Sequence, residues 1–541
     1  MPTNWFNKPL RLPKVPHSAE DMSHNFKTTT KFGLLTPIGI EECAPADETK
    51  EYFPAAFFRL SPLLYPIMHR VHARMHTFEV PFRILMGDQP YQEFLNGEKD
   101  LIDVDVIYPY DESIPDEDQD DPEVEGSAAW TYAKLGKYDI FTTLGYPRND
   151  YTAYKTTDKF RLYHLDNGLD YLSLLAIWRD WFADVQINAT QMAVIDGIFQ
   201  RYQDAYRYGS SYVDLIYDGI VVDLYCNMGK DYFTTARPKP EYGDPVNLSF
   251  SSDNFSFSKA SVTNRSGFFT APSAAGQDVQ IKDGNDGDSV LSVNLDMTIR
   301  ELWRREQIQR FFDVTNTFGN RTREWLAGHM GVIFPDDRLM IPRLLQTTIH
   351  DFTISEVMQT SETDTTPLGS YAGKGTLACR GKRMKRFFVE HSLLITVLSV
   401  IPEVGYTQAR QRYQFKKSIF DFAIPEFNNI GYQEIYKGEL YGPSSDPKGV
   451  FGYTMRYSEY RFHPNRCSNG FADDPTLLDF HLNRKFDSDP GLNPSFITAN
   501  QDQFYRIFAD TQADMDSILV DAAIINKMWR PVSSQPSSMH L

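Results

Sequence analysis

The stretch His69-Arg-Val-His-Ala-Arg-Met-His-Thr-Phe-Glu-Val-Pro-Phe-Arg-Ile-Leu85 decides the fold class, because apolar and polar residues alternate along it. The two alternating sets are Val71, Ala73 and Met75 on one side and His72, Arg74 and His76 on the other. A period of two residues is typical of a β-strand with one buried face. A helix would instead bring His69, His72 and His76 together, as a metal site requires. The alternation and the neighbouring β-branched and aromatic residues favour the strand.

Short runs with the pattern of β-strands dominate the chain from residue 351 onward, separated by Gly, Pro and Asn. They lie at 386–401, 412–416 and 451–462. Two longer stretches, 171–207 and 296–327, repeat apolar residues at helical spacing instead. Many short strands with irregular connections and a few helices are typical of a sandwich or jelly roll rather than of a parallel sheet. The sequence therefore predicts a mainly β fold.

Composition limits the classes of function. The chain has 541 residues and 41% hydrophobic residues, enough for a substantial core, and 14% aromatic residues, which favour strands and large protein interfaces. The formal net charge is -18. A protein that wraps nucleic acid on its own is usually basic, so any DNA contact here is expected to be local or shared with a basic partner.

The four cysteines, Cys43, Cys226, Cys379 and Cys467, are far apart in the sequence. This spacing predicts free thiols in a chain made in a reducing compartment. The sequence has no run of 18 apolar residues, so it predicts no membrane-spanning helix. The N-terminus also lacks the apolar core of a signal peptide. We therefore expect synthesis in a cytoplasm and no insertion into a membrane.

Two charged segments stand apart from the strand pattern. Residues 1–38 combine basic side chains, among them Lys8, Arg11 and Lys14, with prolines that prevent a regular helix. We interpret them as an extended basic arm, and an ordinary frayed terminus is the alternative.

Residues 108–127 form an acidic loop, with nine acids between 111 and 125. Such a block favours a solvated surface loop; a calcium loop is the alternative, but the glycine spacing of an EF-hand is missing.

Residues 246–290 differ from their surroundings because they are rich in Ser, Asn, Gly and Asp. We interpret this segment as a surface insertion of short strands and turns within a domain that spans 39–541, and a disordered linker is the alternative. The isolated aromatic residues in the segment predict that it packs against another surface. They are Phe250, Phe255, Phe257, Phe268 and Phe269.

Enzyme motifs are missing from the sequence. It contains no GxSxG, Walker A, HExxH, HxE…CxxC or GxGxxG pattern. Glu390 and His391 are adjacent, so on a strand they would point to opposite faces and make a poor acid–base pair. We predict no catalytic residue, metal site or cofactor. A carbohydrate-binding or carbohydrate-active β-sandwich stays open as an alternative function, because such proteins also carry many aromatic and acidic residues.

Two short segments combine basic and aromatic residues. Residues 380–386 hold five bases, including Arg380, Lys382 and Arg383, and Arg410 and Arg412 precede Lys416 with aromatic residues between them. This combination suits single-stranded DNA, because bases stack on aromatic rings and phosphates pair with cations. The alternative is a charged strand edge that prevents aggregation or pairs with acidic neighbours.

Several short phrases occur in a defined order along the chain. They are Pro62-Leu-Leu-Tyr-Pro-Ile-Met-His-Arg-Val, Asp231-Tyr-Phe-Thr-Thr-Ala-Arg-Pro, Phe334-Pro-Asp-Asp-Arg-Leu, Thr366-Pro-Leu-Gly, Phe451-Gly-Tyr-Thr-Met-Arg-Tyr-Ser-Glu-Tyr-Arg and Asp479-Phe-His-Leu. Together they resemble the major capsid proteins of microviruses, small icosahedral phages with single-stranded DNA, and are most similar to the gokushovirus-like branch. The resemblance runs from about residue 20 to 531 and omits the acidic loop and the 246–290 segment.

The resemblance implies an eight-stranded antiparallel viral jelly roll with long loop insertions. It implies a structural protein, not an enzyme, of which about sixty copies form a T=1 shell around a circular single-stranded DNA genome. The insertion at 246–290 would form a protrusion at the threefold axes.

The implied partners are further copies of the chain, a small basic DNA-binding internal protein, other virion proteins such as a pilot protein, and a host surface receptor. The implied location is the virion, after synthesis in the host bacterial cytoplasm. The eight basic residues named above are the candidates for facing the DNA or the basic internal protein. The five phenylalanines are the candidates for the protrusion.

Overall fold

The structure is a computed structural model that describes residues 15–109, 140–147, 159–210, 212–216, 224–241, 299–319, 321–333, 340–358, 371–428, 430–500, 503–509 and 516–532. The strands are β1 (Ser18–Asp21), β2 (His24–Thr30), β3 (Thr36–Cys43), β4 (Glu48–Leu60), β5 (Val71–Pro81), β6 (Asp103–Pro109), β7 (Lys159–Leu165), β8 (Tyr212–Ile216), β9 (Arg343–Asp351), β10 (Thr353–Met358), β11 (Tyr371–Arg380), β12 (Met384–Phe387), β13 (Ser392–Pro402), β14 (Tyr432–Tyr436), β15 (Val450–Met455) and β16 (Ile518–Arg530). The α-helices are α1 (Phe82–Met86), α2 (Asp88–Leu95), α3 (Ile140–Leu144), α4 (Leu169–Ile177), α5 (Ala189–Tyr208), α6 (Ile299–Phe318), α7 (Thr322–Trp325), α8 (Lys437–Leu440), α9 (Gly470–Asp473) and α10 (Pro494–Ile497).

Two antiparallel sheets form the centre of the described structure. The first sheet has seven strands, with the order β1-β16-β4-β11-β10, and β2 and β12 pair with β16 and β4. The second sheet has four strands in the order β3-β13-β5-β9. Its strand β5 begins at Val71 and ends at Pro81 and alternates between buried and half-buried positions over its first half, so the predicted strand is confirmed. The predicted mainly β class with few helices is confirmed as well.

One hydrophobic core lies between the two sheets. It joins Phe58 of β4 and Val520 of β16 from the first sheet to Met75 of β5 and Val397 of β13 from the second. The strand β13 is buried at every position, and it pairs with β5 from Ser392 opposite Pro81 to Pro402 opposite Val71. Because each fully buried aliphatic or aromatic side chain contributes about 1.5–3 kcal/mol, this shared core is what holds the sheets face to face.

A polar contact also crosses between the sheets. The side-chain oxygens of Tyr52 on β4 and Thr396 on β13 lie 2.6 Å apart, and those of Thr396 and Thr77 on β5 lie 3.0 Å apart. All three side chains are buried. A buried hydroxyl without a partner is costly, so these hydrogen bonds specify which positions of β4 and β13 face each other.

The predicted helical stretch at 171–207 is two helices rather than one. Helix α4 continues into one π-helical turn at Trp178–Phe182, after which Ala183 is extended and α5 begins at Ala189. Arg321 donates hydrogen bonds to the carbonyl oxygens of Arg179, Asp180 and Ala183. These are the carbonyl groups that the end of a helix leaves unpaired, so a residue distant in sequence stabilises the break.

Two smaller sheets lie beside the central pair. Strands β7-β6-β8 form a three-stranded sheet in which β6 and β8 are parallel, so not every strand pair is antiparallel. Its residues Val104 and Leu215 belong to the same core as the two large sheets. Strands β14 and β15 form a separate hairpin-like pair, whose Ile435 and Phe451 belong to a second hydrophobic cluster.

The described residues place parts of the charged segments. Of the predicted arm at 1–38, residues 18–21 and 24–30 form β1 and β2, which both pair with β16. The acidic stretch 111–125 and the segment 246–290 lie outside the described residues.

Candidate assembly and nucleic-acid surfaces

The first basic cluster lies where β11 ends and β12 begins. Arg380 closes β11, and its guanidinium group stacks over the ring of Phe53 at 4.0 Å. Arg383 pairs with Glu51, with Nε 3.0 Å from Oε1. Arg380, Lys382 and Arg383 are all exposed. The loop therefore presents three cations on the outer side of β4, and one of them is partly neutralised by Glu51.

Arg386 of the same run has a different environment. Its guanidinium group contacts Glu79 at 2.7 Å, and the Glu79 side chain is only 6% exposed. Burial raises the pKa of Glu79, and Arg386 only partly opposes this. Arg386 is therefore a structural partner of β5, while Arg380 and Lys382 have no ion pair with any carboxylate among the described residues.

The second basic cluster contains a buried ion pair. Arg412 contacts Glu439 of α8, donates to the carbonyl oxygen of Glu434 at 2.8 Å, and lies 3.9 Å above the ring of Tyr436. Glu439 is 1% exposed and also accepts a hydrogen bond from Tyr232 at 3.1 Å. Burial raises the pKa of Glu439 despite Arg412. The charge of Arg412 is thus balanced within the chain.

Lys416 forms the second ion pair of this cluster. Its Nζ lies 2.9 Å from Oε1 of Glu459, and the Lys416 side chain is 4% exposed. Burial alone would raise the pKa of Glu459, but hydrogen bonds from Lys416 and Gln433 outweigh it and lower the pKa. Residues 412–415 form a 3-10 turn, so the strand predicted at 412–416 is wrong. The turn carries Arg412 and Lys416 to their two carboxylates.

Arg410 is the exposed member of the second cluster. It stacks over Phe415 at 4.5 Å and contacts the Gln414 side chain at 3.4 Å. It lines a cavity of about 250 Å³ together with basic and aromatic residues of the neighbouring segments. The other basic and aromatic residues of the lining include Arg412, Tyr413, Lys416, Tyr460, Phe462, His463 and Arg466. Arg410 is therefore the residue of this cluster best placed to contact an anion.

The remaining predicted site residues lie outside the described residues. They are Lys8, Arg11 and Lys14 of the arm, and Phe250, Phe255, Phe257, Phe268 and Phe269 of the segment 246–290. The structure therefore brings Arg380, Lys382 and Arg383 together on one loop and Arg410 and Arg412 together on another.

One surface was not predicted from the sequence. Six large apolar side chains between 419 and 462 are 45–66% exposed. We call them the apolar patch: Ile419, Phe420, Phe422, Ile430, Tyr460 and Phe462. The signal in the sequence is the apolar content of 419–430, which keeps neither strand nor helix period and contains Pro425. Apolar residues without a period have no face to bury, so some of them are expected to stay exposed.

Histidine and acidic side chains in the part of the chain that is described have several separate partners. No group of three or more His, Cys, Asp or Glu residues is arranged to hold a metal ion there. His72 pairs with Asp351, and Glu390 forms a two-hydrogen-bond contact with Arg83. His391 instead stacks beside Phe82, so Glu390 and His391 face different partners.

The cysteines are free, as predicted from their spacing. Cys43, Cys226 and Cys379 are buried, and Cys467 is half-buried. Within the described ranges, no helix is both long enough and apolar enough to cross a membrane.

Comparison with known proteins relates almost the whole chain to one family. Residues 11–535 match the sequence profile of the family described as capsid protein (F protein). This range includes every strand of the two large sheets and both basic clusters.

Three curated relatives agree with this match, and each is named capsid protein VP1. The protein of Bdellovibrio phage phiMH2K is 27% identical, over 94% of this chain and 93% of the relative. That of Chlamydia phage 1 is 25% identical, over 90% of each chain. That of Spiroplasma virus 4 is 23% identical, over 92% of this chain and 91% of the relative.

Proposed function

The chain belongs to the capsid protein (F protein) family, and from this we propose that it is the major shell protein of a small phage with a circular single-stranded DNA genome. About sixty copies would form a T=1 icosahedral shell, since closed symmetry repeats a few contacts between identical subunits. The observation that carries the proposal is the family match over residues 11–535. The relatives are named as structural proteins, and we assign no catalytic step.

We propose that the two central sheets are the viral jelly roll of this subunit. The support is their arrangement, since two antiparallel sheets share one core and their connections carry long insertions. A jelly roll suits shell building because its core is independent of its loops, which are free to contact neighbours. The segment 246–290 would be one such insertion, and we propose that it forms the threefold protrusion and presents its phenylalanines to neighbouring subunits.

Enclosing DNA with an acidic subunit needs local cations. A shell of about sixty copies with a charge of -18 each would carry roughly a thousand negative charges. We propose that a small basic internal protein and the basic arm with Lys8, Arg11 and Lys14 neutralise the genome at the inner wall. Arg380, Lys382 and Arg383 are the exposed described cations that fit this role. Arg410, the other exposed candidate, shares its cavity with Tyr460 and Phe462, and Arg412 already has Glu439 as its partner. A pilot protein and a host receptor complete the proposed partners of the virion.

The experiment is a cryo-electron microscopy reconstruction of particles purified from infected bacterial cells. We expect closed icosahedral particles with about sixty subunits, the two-sheet core in the shell, the 246–290 segment outside and the arm inside. Empty particles made without DNA are the control for density on the inner wall. A chain that stays monomeric in lysates containing the whole phage would overturn the shell role. An arm that projects outward would overturn only the DNA assignment.

A further inference from the structure

We propose that the apolar patch is a contact between subunits, and that a second copy of this chain covers it. The inference rests on the proposed shell function and adds to it the surface that makes one of the contacts. The patch lies on the segments 416–428, 430 and 455–462, outside the strands of the two central sheets. Large exposed apolar patches on soluble proteins mark sites of interaction with another protein.

The two segments that carry the apolar patch are hydrogen-bonded to each other. The Tyr460 hydroxyl accepts a hydrogen bond from the Ala423 backbone at 3.3 Å, and the Tyr457 hydroxyl accepts one from the Ile424 backbone at 3.2 Å. The backbone nitrogen of Arg456 donates to the carbonyl oxygen of Gly431 at 3.1 Å. These bonds bring Phe420, Phe422 and Ile430 beside the 455–462 segment.

The patch is also held in a fixed shape. Asp421 accepts hydrogen bonds from the backbone of Ser418 and Lys417, each at 2.8 Å, and these bonds lower the pKa of Asp421. The Lys416–Glu459 ion pair joins the two segments below the surface. An exposed apolar surface on an ordered loop has already lost the conformational entropy that binding would otherwise cost. This arrangement is expected of a docking surface and not of a solvated loop.

The chemistry of the patch favours a protein partner over nucleic acid. Two of the six patch side chains, Ile419 and Ile430, have no ring on which a base could stack, and the two buried cations Arg412 and Lys416 are neutralised by Glu439 and Glu459. The exposed cations at its border, Lys417, Arg461 and Arg466, suit an acidic protein surface. A second copy carries a net charge of -18, so its overall charge is opposite to that of these cations.

The first test is the double variant F420D/F462D, with E426Q in the same loop as its matched control. Both side chains are exposed, so the variant subunit should keep the thermal midpoint of the unassembled wild-type subunit. We expect at least a roughly tenfold lower yield of closed particles, because charged groups would be buried at the contact. E426Q should assemble normally. Normal assembly of F420D/F462D would overturn the inference.

The second test does not depend on the variant folding. A photo-crosslinking phenylalanine analogue at position 420 is activated in intact particles, and the products are mapped by mass spectrometry. Covalent dimers of this chain are the expected product. Products that disappear on nuclease treatment, products with a different protein, or the absence of any product between chains would each overturn the inference. If the wild-type chain forms no particles at all, the shell function itself fails, and this result is distinct from all the others.

Discussion

The contact between Arg412 and Glu439 illustrates how a residue that looks suited to DNA serves the subunit itself. In the sequence, Arg412 is a cation next to aromatic residues. In the structure its side chain is only 13% exposed, and it pairs with the carboxylate of Glu439, which is 2% exposed. Buried ion pairs contribute little net stability, yet the loss of one partner leaves an uncompensated charge in the core. Arg410, two residues earlier, is exposed and pairs with no buried carboxylate among the described residues.

This contrast gives a prediction for two neighbouring arginines. Arg412→Met should lower the unfolding free energy of the unassembled subunit by about 3–5 kcal/mol, because Glu439 stays buried without its cation. Arg410→Met, the matched control, should cost less than about 1 kcal/mol, since it removes exposed contacts with Phe415 and Gln414. Urea unfolding followed by tryptophan fluorescence measures both. Equal losses in the two variants would contradict the assignment of Arg412 as a structural residue.

A second prediction concerns His76 on β5. Burial lowers the pKa of His76 from 6.5 to about 4, and Arg74 adds to this effect. Below pH 6.5 the unfolded chain binds a proton at this histidine and the folded chain does not, so acid favours unfolding. The stability that neutral His76 provides is complete above pH 6.5 and is lost as the pH falls from 6.5 to 4.

His76→Gln should therefore reduce the fall in thermal midpoint of the subunit between about pH 7 and pH 5. His463→Gln, at an exposed position, is the control for replacing a histidine, and the slopes of midpoint against pH of the two variants are compared. Thermal unfolding at several pH values gives these slopes. A slope in His76→Gln as steep as that of the wild type would show that other groups cause the acid sensitivity.

At the scale of strands and helices, local periodicity predicted some elements and could not predict others. Val71, Ala73 and Met75 identified β5 because a strand on a half-buried sheet shows its period in its own sequence. The similar alternation at 412–416 led to a wrong strand, because Arg412 turns inward to a carboxylate 27 residues away. No local pattern contains that partner. The break between α4 and α5 depends in the same way on Arg321, which follows far along the chain.

The polar contact between β4 and β13 leads to a prediction about the packing of the two sheets. Thr396→Val keeps the shape of the side chain but leaves the buried Tyr52 hydroxyl without its partner. We expect a loss of about 1–3 kcal/mol in the unfolding free energy of the subunit. The double variant Tyr52→Phe/Thr396→Val should be more stable than Thr396→Val alone, because neither hydroxyl is then left unpaired. Chemical denaturation compares them, and a less stable double variant would contradict the role of this contact.

Considered as a whole, the molecule was predictable in its class and family and not in its surfaces. The order of short phrases such as Asp231-Tyr-Phe and Asp479-Phe-His indicated the family, and the match of residues 11–535 to the family profile confirms it. The exposure of Phe420 and Phe462 depends on how two segments lie on the folded subunit. The pairing of the basic residues likewise follows from tertiary structure. Both were therefore beyond the reach of composition and spacing.

The place of β16 in the first sheet has a consequence for the time course of synthesis. This strand, the last along the chain in the described ranges, lies between β4 and the pair β1 and β2. During synthesis, β3, β5, β9 and β13 are translated before β16. One edge of β4 therefore has no partner strand until β16 has been made. An unpaired strand edge of this kind can pair with strands of other nascent chains. A polypeptide that ended before β16 would lack the strand that joins β1 and β2 to β4, and its first sheet would be incomplete.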